Sequence, residues 1–509
     1  MFTREELLAA AHTQPIAGTL PMRFAGAAVD SRLVQPGQLF VALRGAQTDG
    51  HRFIRDAITA GAAAILCATP DDYAKACKFP QIAVPDPLTV LQQLARLRLA
   101  HQTSVTVIGI TGSSGKTSTK EATASLLTHL GPTHKTAASF NTETGLPLTV
   151  LGLEPEHRFV VLEMGAQWVG EIAMLCRIAP PHMGIVTAVG PAHLEYFGSV
   201  DAIERAKSEL VQALPADGIA ILNEDDRRVR RMARKTNARV VTFGRRSEAD
   251  VRALRLSGDP LLGLRFTIAY GDQQARVHLN IPGAYAVSTA LAAAAAALSC
   301  GLPLESVAAG LGELRAPKRR GEIKEGVNGS TVIDDSYNAN RQSVEAALTL
   351  LRSAHLGQGG RRWAVLGDML ELGIHSATEH AHVGATVATT ADRLVAVGAD
   401  ARYIAHAARQ AGLASEHIEL FSAELSDAAA LAQARQAAAA YLREQLRAGD
   451  VVLVKGSLGM GMDAIVNQLV ATRPMEDDDR APQRLDHEMQ TSRTASIGKA
   501  KRDLVRFLR

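Results

Sequence analysis

The chain has 509 residues, 47% hydrophobic and 21% charged, with a formal net charge of +3. That length exceeds what one hydrophobic core usually supports, so two to four domains are expected. A charge this near balance, with no basic block, excludes nucleic acid as a default partner and points to small molecules.

Cys67, Cys77, Cys176 and Cys300 lie far apart without Cys-x-x-Cys spacing. This argues against a zinc knuckle or a secreted disulfide framework and fits a reducing, cytoplasmic location. Glu5 and Glu6 stand where a signal peptide needs an apolar stretch, and no run of 18 apolar residues follows. Membrane insertion is therefore not expected.

In chain order, residues 1–95 mix short β-like runs such as Leu39-Phe40-Val41-Ala42-Leu43 with Gly and Pro punctuation, and read as a small N-terminal α/β domain. Residues 96–312 alternate apolar strands, at 105–110, 159–164, 183–189, 218–222 and 240–243, with longer helical stretches. That alternation predicts a mostly parallel, helix-covered sheet. Residues 251–281 alternate in polarity and predict an appended antiparallel ribbon, followed by an alanine-rich helix over 286–298. Residues 313–472 start a further βα series, with strands at 331–333, 363–366, 394–397 and 451–454, which predicts a doubly wound, Rossmann-like C-terminal domain. Residues 473–509 turn to Arg, Asp, Glu, Gln and Ser and predict a flexible tail with a short basic helix from Gly498. The expected fold class is α/β, in three domains.

The strongest motif is Thr111-Gly112-Ser113-Ser114-Gly115-Lys116-Thr117, with Ser118 next, set between an apolar strand and a helix expected to run to about residue 130. This is the setting a phosphate loop requires. Gly112 and Gly115 let backbone N–H groups turn inward, and the helix N-terminus favours anions. Lys116 can reach β and γ phosphates, and the Thr117 hydroxyl can hold Mg²⁺. Ile110 stands where the strict consensus has its first glycine, so the match rests on context.

Thr-Gly-x-x-Gly-Lys-Thr resembles the phosphate loop of the Mur ligases and their relatives, the folylpolyglutamate synthases. Further matches follow in order: Asn141-Thr142-Glu143-Thr144-Gly145, then Glu163 closing an apolar run, then Pro191-Ala192-His193, then Ala206-Lys207-Ser208-Glu209. The resemblance, over residues 25–465, implies that Asn141 and Thr142 contact a peptidyl substrate, that Glu163 and His193 join Thr117 around magnesium, and that Lys207 stands at the position of a lysine that is often carbamylated in the family. Lys116, His193 and Lys207 are thus the implied catalytic set.

Each residue also has a plainer reading. Glu163 can cap the next helix, a lone His is not a typical magnesium ligand, and Lys207 lies in a charged stretch that suits a solvated lysine. Upstream, Asp30-Ser31-Arg32 and Asp49-Gly50-His51 resemble the UDP-binding domain of the family members that act on peptidyl substrates, implying substrate contacts at Ser31 and Asp49; without the family they would be ordinary turns.

In the last domain, Arg319-Arg320-Gly321-Glu322 and Asp334-Asp335-Ser336-Tyr337-Asn338-Ala339-Asn340 resemble the family's hinge and ribose-binding strand. The resemblance implies ATP contacts from Arg320 and Asp335 and substrate contacts from Tyr337 and Asn338; a surface ion pair is the plainer alternative. Together with Leu366-Gly367-Asp368-Met369-Leu370-Glu371-Leu372-Gly373 and Lys455-Gly456-Ser457, this is the pattern of the members that add D-alanyl-D-alanine to a UDP-N-acetylmuramoyl-tripeptide. The Asp-Asn-Pro-Arg string of the diaminopimelate-adding members is absent.

Two departures stand out. Arg341 follows Asn340 where the family has Pro, and Tyr285, Ala286 and Thr289 replace a His-Asn pair and a further Asn that help hold adenine. The expected enzyme is a monomeric, ADP-forming peptide ligase using ATP and Mg²⁺ through an acyl phosphate. The alternatives are another Mur-type amide ligase, or a P-loop ATP-binding protein without ligase chemistry.

Overall fold

The computed structural model describes residues 1–45 and 48–470. The expected tail and its basic helix lie outside these residues.

A nine-stranded sheet forms the centre, ordered Gln273–Leu279, Gly263–Tyr270, Val251–Asp259, Arg239–Gly244, Ile219–Asn223, Met183–Val186, Thr106–Thr111, Phe159–Glu163 and Thr133–Lys135. The last six of that order pair in parallel, and Arg239–Gly244 also joins Val251–Asp259 in parallel at Phe243 and Gly244. The segment 251–279 is an antiparallel three-stranded ribbon, as its alternation predicts.

Parallel strands buried on both faces read as unbroken apolar runs because alternate residues enter opposite cores. Val107, Val160 and Leu162 enter one cluster, while Ile108, Ile110 and Val161 enter the other. The alanine-rich helix Tyr285–Ser299 is buried nearly all round, its small side chains filling the second cluster beside Leu126 and Leu127 of the helix Lys116–Leu127. Alanine serves both demands, helix propensity and close approach.

Thr106–Thr111 lies between strands on either side that come later in the chain. The sheet order therefore reverses at the strand feeding the phosphate loop, where α/β sheets open a ligand crevice.

A second sheet runs Glu322–Glu325, Thr331–Asp335, Val451–Lys455, Arg362–Gly367, Arg393–Val397 and Ile418–Phe421, with only the first pair antiparallel. A four-stranded parallel sheet, Ala27–Ala28, Leu39–Val41, Ala64–Cys67 and Gln81–Ala83, forms the N-terminal unit. That unit docks on the centre where Leu91 and Leu94 of the helix Pro87–Ala100 share a core with Leu146, Val150 and Leu151.

Strands the sequence pattern does not announce, Thr133–Lys135, Glu322–Glu325 and Ile418–Phe421, are all sheet edges with partly exposed residues. Edges are short and carry polar side chains, so they lack an apolar run.

Candidate active site

Gly112 has φ 152°, and a Cβ there would lie 2.0 Å from Thr187 Oγ1; Gly115, φ 80°, turns the chain into the helix. Both glycines are demanded by geometry. The loop is pinned from behind: Thr187 Oγ1 donates to Ser114 O at 2.6 Å, and Ser113 Oγ donates to Gly190 O at 2.9 Å while accepting from Gly190 N at 3.0 Å. Thr111 is wholly buried and donates its hydroxyl to Met164 O at 2.9 Å, so its side chain braces the loop. Lys116 Nζ folds over the loop to Gly112 O at 2.8 Å.

Glu163 is almost fully buried, and the next helix, Glu171–Ile178, has Gly170 at its cap position instead. One carboxylate oxygen accepts from Thr117 Oγ1 and the other from Asn141 Nδ2, each at 2.8 Å. Thr117 and Glu163 thus present hard oxygen donors side by side, a pair that suits Mg²⁺, which usually keeps several waters and substrate phosphate oxygens as its other ligands. Among the described residues no three His, Cys, Asp or Glu side chains converge as a metal cage. A cation here would take its remaining ligands from phosphate and water.

The C-terminal unit reaches into the same place. Arg320 Nη2 donates to Thr117 Oγ1 at 3.0 Å, and its guanidinium lies 4.0 Å from the centroid of the Tyr337 ring. The Tyr337 and Ser139 hydroxyls share a hydrogen bond, and Asn340 Nδ2 donates to Ser113 O at 3.2 Å. Asp335 accepts from Lys455 Nζ at 2.6 Å, and the same ammonium donates to Asn338 O at 2.9 Å. Burial raises the Asp335 carboxyl, and Lys455 opposes the shift.

His193, φ 56°, hydrogen-bonds through Nδ1 to the Glu371 carboxylate. Lys207 is 2% exposed, its ammonium 5.8 Å from the centroid of Phe197, so the solvated-lysine reading is corrected. The helix Val200–Gln212 turns Ala206, Lys207, Leu210 and Val211 inward, while Arg228 takes up Asp201 and Glu204 at its rim.

A cavity of about 450 Å³ opens beside the phosphate-loop helix, lined by Ser118, Tyr285, Ala286, Thr289, Arg315 and Arg320 among others. It contains all three positions at which the chain departs from the family's adenine contacts. Burial, the largest influence, pushes the Tyr285 phenol up.

A second cavity, about 240 Å³, lies between the N-terminal and central units beside Asp30, Leu33, Gln38, Lys135 and Phe140. Ser31 stands one residue from its wall, in the turn Ser31–Leu33 capped by Asp30. Asp49 is not part of this wall: it caps Gly50–Phe53 and holds His51 Nδ1 at 2.6 Å. Thr142 accepts from Gly145 N at 3.3 Å, bracing the start of Gly145–Leu151.

Residues that sequence reasoning missed are Thr187 and Gln167. The first has no signal beyond its place near the end of an apolar run; Gln167 has none. Glu371 and Asn340 lie inside the motifs that carry the resemblance, which gives them no role.

Three family profiles match: "Mur ligase family, catalytic domain" over residues 23–98, "Mur ligase middle domain" over 110–297 and "Mur ligase, glutamate ligase domain" over 319–458. The UDP-N-acetylmuramoyl-tripeptide–D-alanyl-D-alanine ligase of Mycobacterium tuberculosis is 43% identical over 469 residues, covering 87% of this chain and 91% of that protein. Its counterpart from Escherichia coli is 35% identical, covering 86% and 92%. Among solved structures, MurF from Acinetobacter baumannii superposes with a TM-score of 0.80 at 30% identity, over 92% of this chain and 98% of that one. MurF ligase from Thermotoga maritima in complex with ADP gives 0.73 at 28%, over 87% and 96%.

Proposed function

The chain belongs to the Mur ligase family, and from that premise we propose that it joins D-alanyl-D-alanine to the terminal carboxylate of UDP-N-acetylmuramoyl-tripeptide, consuming ATP and releasing ADP, in peptidoglycan precursor synthesis. The observation that carries the reading is the convergence of Lys116, Thr117, Glu163 and Asn141 of the central unit with Arg320 of the C-terminal unit on one spot.

A carboxylate does not react with an amine at neutral pH because oxide is a poor leaving group. Transfer of the γ-phosphoryl group to the tripeptide carboxylate gives an acyl phosphate and ADP; the D-alanyl-D-alanine amine then attacks the acyl carbon and expels phosphate. Lys116 and Arg320 neutralise charge on the transferring group, a type of stabilisation usually worth several kcal/mol. Thr117 and Glu163 would hold Mg²⁺, to which the resemblance adds His193, and the cation would supply further charge neutralisation on the phosphates. Carbamylated, Lys207 would offer a carboxylate in place of an ammonium, from a position buried inside the central unit.

We assign Asn141 and Tyr337, which contact Glu163 and Ser139, to binding of the two amide partners. Ser31 and the cavity beside Asp30 receive the uridine diphosphate part, with Asp49 shaping the neighbouring turn. Closure of the C-terminal unit excludes water, which would hydrolyse the acyl phosphate. We assign residues 1–95, 96–312 and 313–472 to UDP-substrate, ATP and amino-acceptor binding, and place the monomeric enzyme in the cytoplasm; no helix of the described residues is long and apolar enough to cross a membrane.

Phosphate release from ATP, measured with the UDP-tripeptide and each of D-alanyl-D-alanine, diaminopimelate and D-alanine, tests the reading. Turnover confined to D-alanyl-D-alanine is expected. Turnover with another amine, or none with any, overturns it.

A further inference from the structure

The loop after the strand Arg362–Gly367 is fastened to its own unit and then grips the other. Met369 N donates to His380 Nε2 at 2.9 Å, and Leu370 N donates to Ser457 Oγ at 2.9 Å. Asp368 Oδ1 accepts from Ala401 N at 2.7 Å. With three consecutive residues tied down, the next one has little freedom.

That next residue, Glu371, adopts φ 61°, a left-handed conformation that is uncommon for a side chain of this type and persists only where surroundings enforce it. From there every polar acceptor it owns meets the central unit. One carboxylate oxygen accepts from Gln167 Nε2 at 2.9 Å, the other takes His193 Nδ1, and the backbone carbonyl accepts from Glu195 N at 3.0 Å. Gly373, φ 52°, allows the close approach: a Cβ there would lie 3.2 Å from Glu195 Cα.

We propose that Glu371 is a positioning residue for the ligase reaction, clasping the C-terminal unit onto the central one and fixing the His193 ring. A carboxylate that accepts from Nδ1–H leaves the lone pair on Nε2, the tautomer that can serve as a ligand or acceptor. Closure and the state of His193 are then one event, since the carboxylate arrives only with the C-terminal unit. The proposal rests on the ligase reading only for its kinetic arm.

Glu371→Ala removes both functions. Glu371→Gln keeps the length and can still accept from Gln167, but its amide donates to His193 Nδ1 and so forces the proton onto Nε2.

Two measurements on the full chain test this. Small-angle scattering of the ligand-free protein should show a larger radius of gyration for Glu371→Ala and a wild-type profile for Glu371→Gln. Steady-state kinetics should show kcat lowered about 10- to 100-fold in both variants, the scale on which groups that orient a ligand usually act, with the KM for ATP changed less than threefold. A residue that merely stabilised the fold would lower the thermal midpoint without this split.

An unchanged scattering profile for Glu371→Ala overturns the clasp. A kcat within twofold of wild type for Glu371→Gln overturns the tautomer. If the wild type itself does not turn over D-alanyl-D-alanine, the ligase reading has failed and the scattering arm still decides the clasp.

Discussion

Replacing Lys116 by alanine separates the chemistry of the phosphate loop from its architecture. In the fold the ammonium contributes a bond to Gly112 O at 2.8 Å on a half-buried side chain. Hydrogen bonds to charged groups are worth about 1.5–3 kcal/mol, and partial exposure puts this one at the lower end. A loss of about 1.5 kcal/mol lowers the thermal midpoint of a domain of this size by roughly 3–6 °C. The loop itself stays pinned, because Thr187, Ala188 and Gly190 hold Ser113 and Ser114 without help from Lys116. Catalysis should respond on another scale, since removing one preorganised donor to developing charge typically costs about 2.7–4 kcal/mol, or 10²- to 10³-fold in kcat. Phosphate release and the calorimetric midpoint, measured on one preparation, check both numbers. A folded variant with kcat within tenfold of wild type would refute the assignment of the loop.

Truncation after Thr472 should leave kcat and the thermal midpoint unchanged, because the segment beyond it has too few apolar residues to offset the cost of ordering; a drop in either requires the tail to dock on the body. If the cavity with Tyr285, Ala286 and Thr289 on its wall holds the base, ATP should be discriminated from GTP by only about 1–3 kcal/mol in kcat/KM, the range of apolar and stacking surfaces. Tyr285→His with Ala286→Asn should raise the ATP preference, and an unaltered ratio refutes the idea.

Burial is the largest influence pushing the Asp368 carboxyl up to about 6. A folded value above the unfolded one gives stability that is complete below about pH 4 and lost as pH rises through 6, in total about 3 kcal/mol. Asp368→Asn should therefore gain on wild type in urea-melt stability between pH 4 and 7, and a pH-independent difference refutes this.

What the sequence makes legible follows from how local each demand is. The parallel strands announce themselves because Val160, Val161 and Leu162 must all be apolar when both faces are covered. The loop glycines announce themselves because their φ values exclude most other residues. Lys207 shows the opposite case. Its neighbours Asp201, Glu204 and Glu209 are charged, so the segment reads as solvated, yet only tertiary packing decides that the lysine points inward. The clasp at Glu371 is further from legibility, since its partners are 178 and 204 residues away and no periodicity encodes such a meeting.

Arg341 marks where a departure from the family changes less than its letters imply. Where the family has proline after the asparagine, the structure places residue 341 at the first position of the helix Arg341–Ser353. Proline is favoured there because its missing N–H and fixed φ cost nothing, but neither property is required. The start of the helix is instead secured by Asn340, whose side-chain oxygen accepts from Ser343 N at 3.0 Å while Ser343 Oγ accepts from Asn340 N at 3.0 Å. With its carbonyl oxygen so engaged, the Asn340 amide nitrogen is directed to Ser113 O in the phosphate loop. Arg341, freed from setting the turn, pairs with Glu379 at 3.1 Å on the next helix of its own unit. The residue that matters to the site is therefore the capping asparagine, and a substitution at 341 leaves its geometry intact.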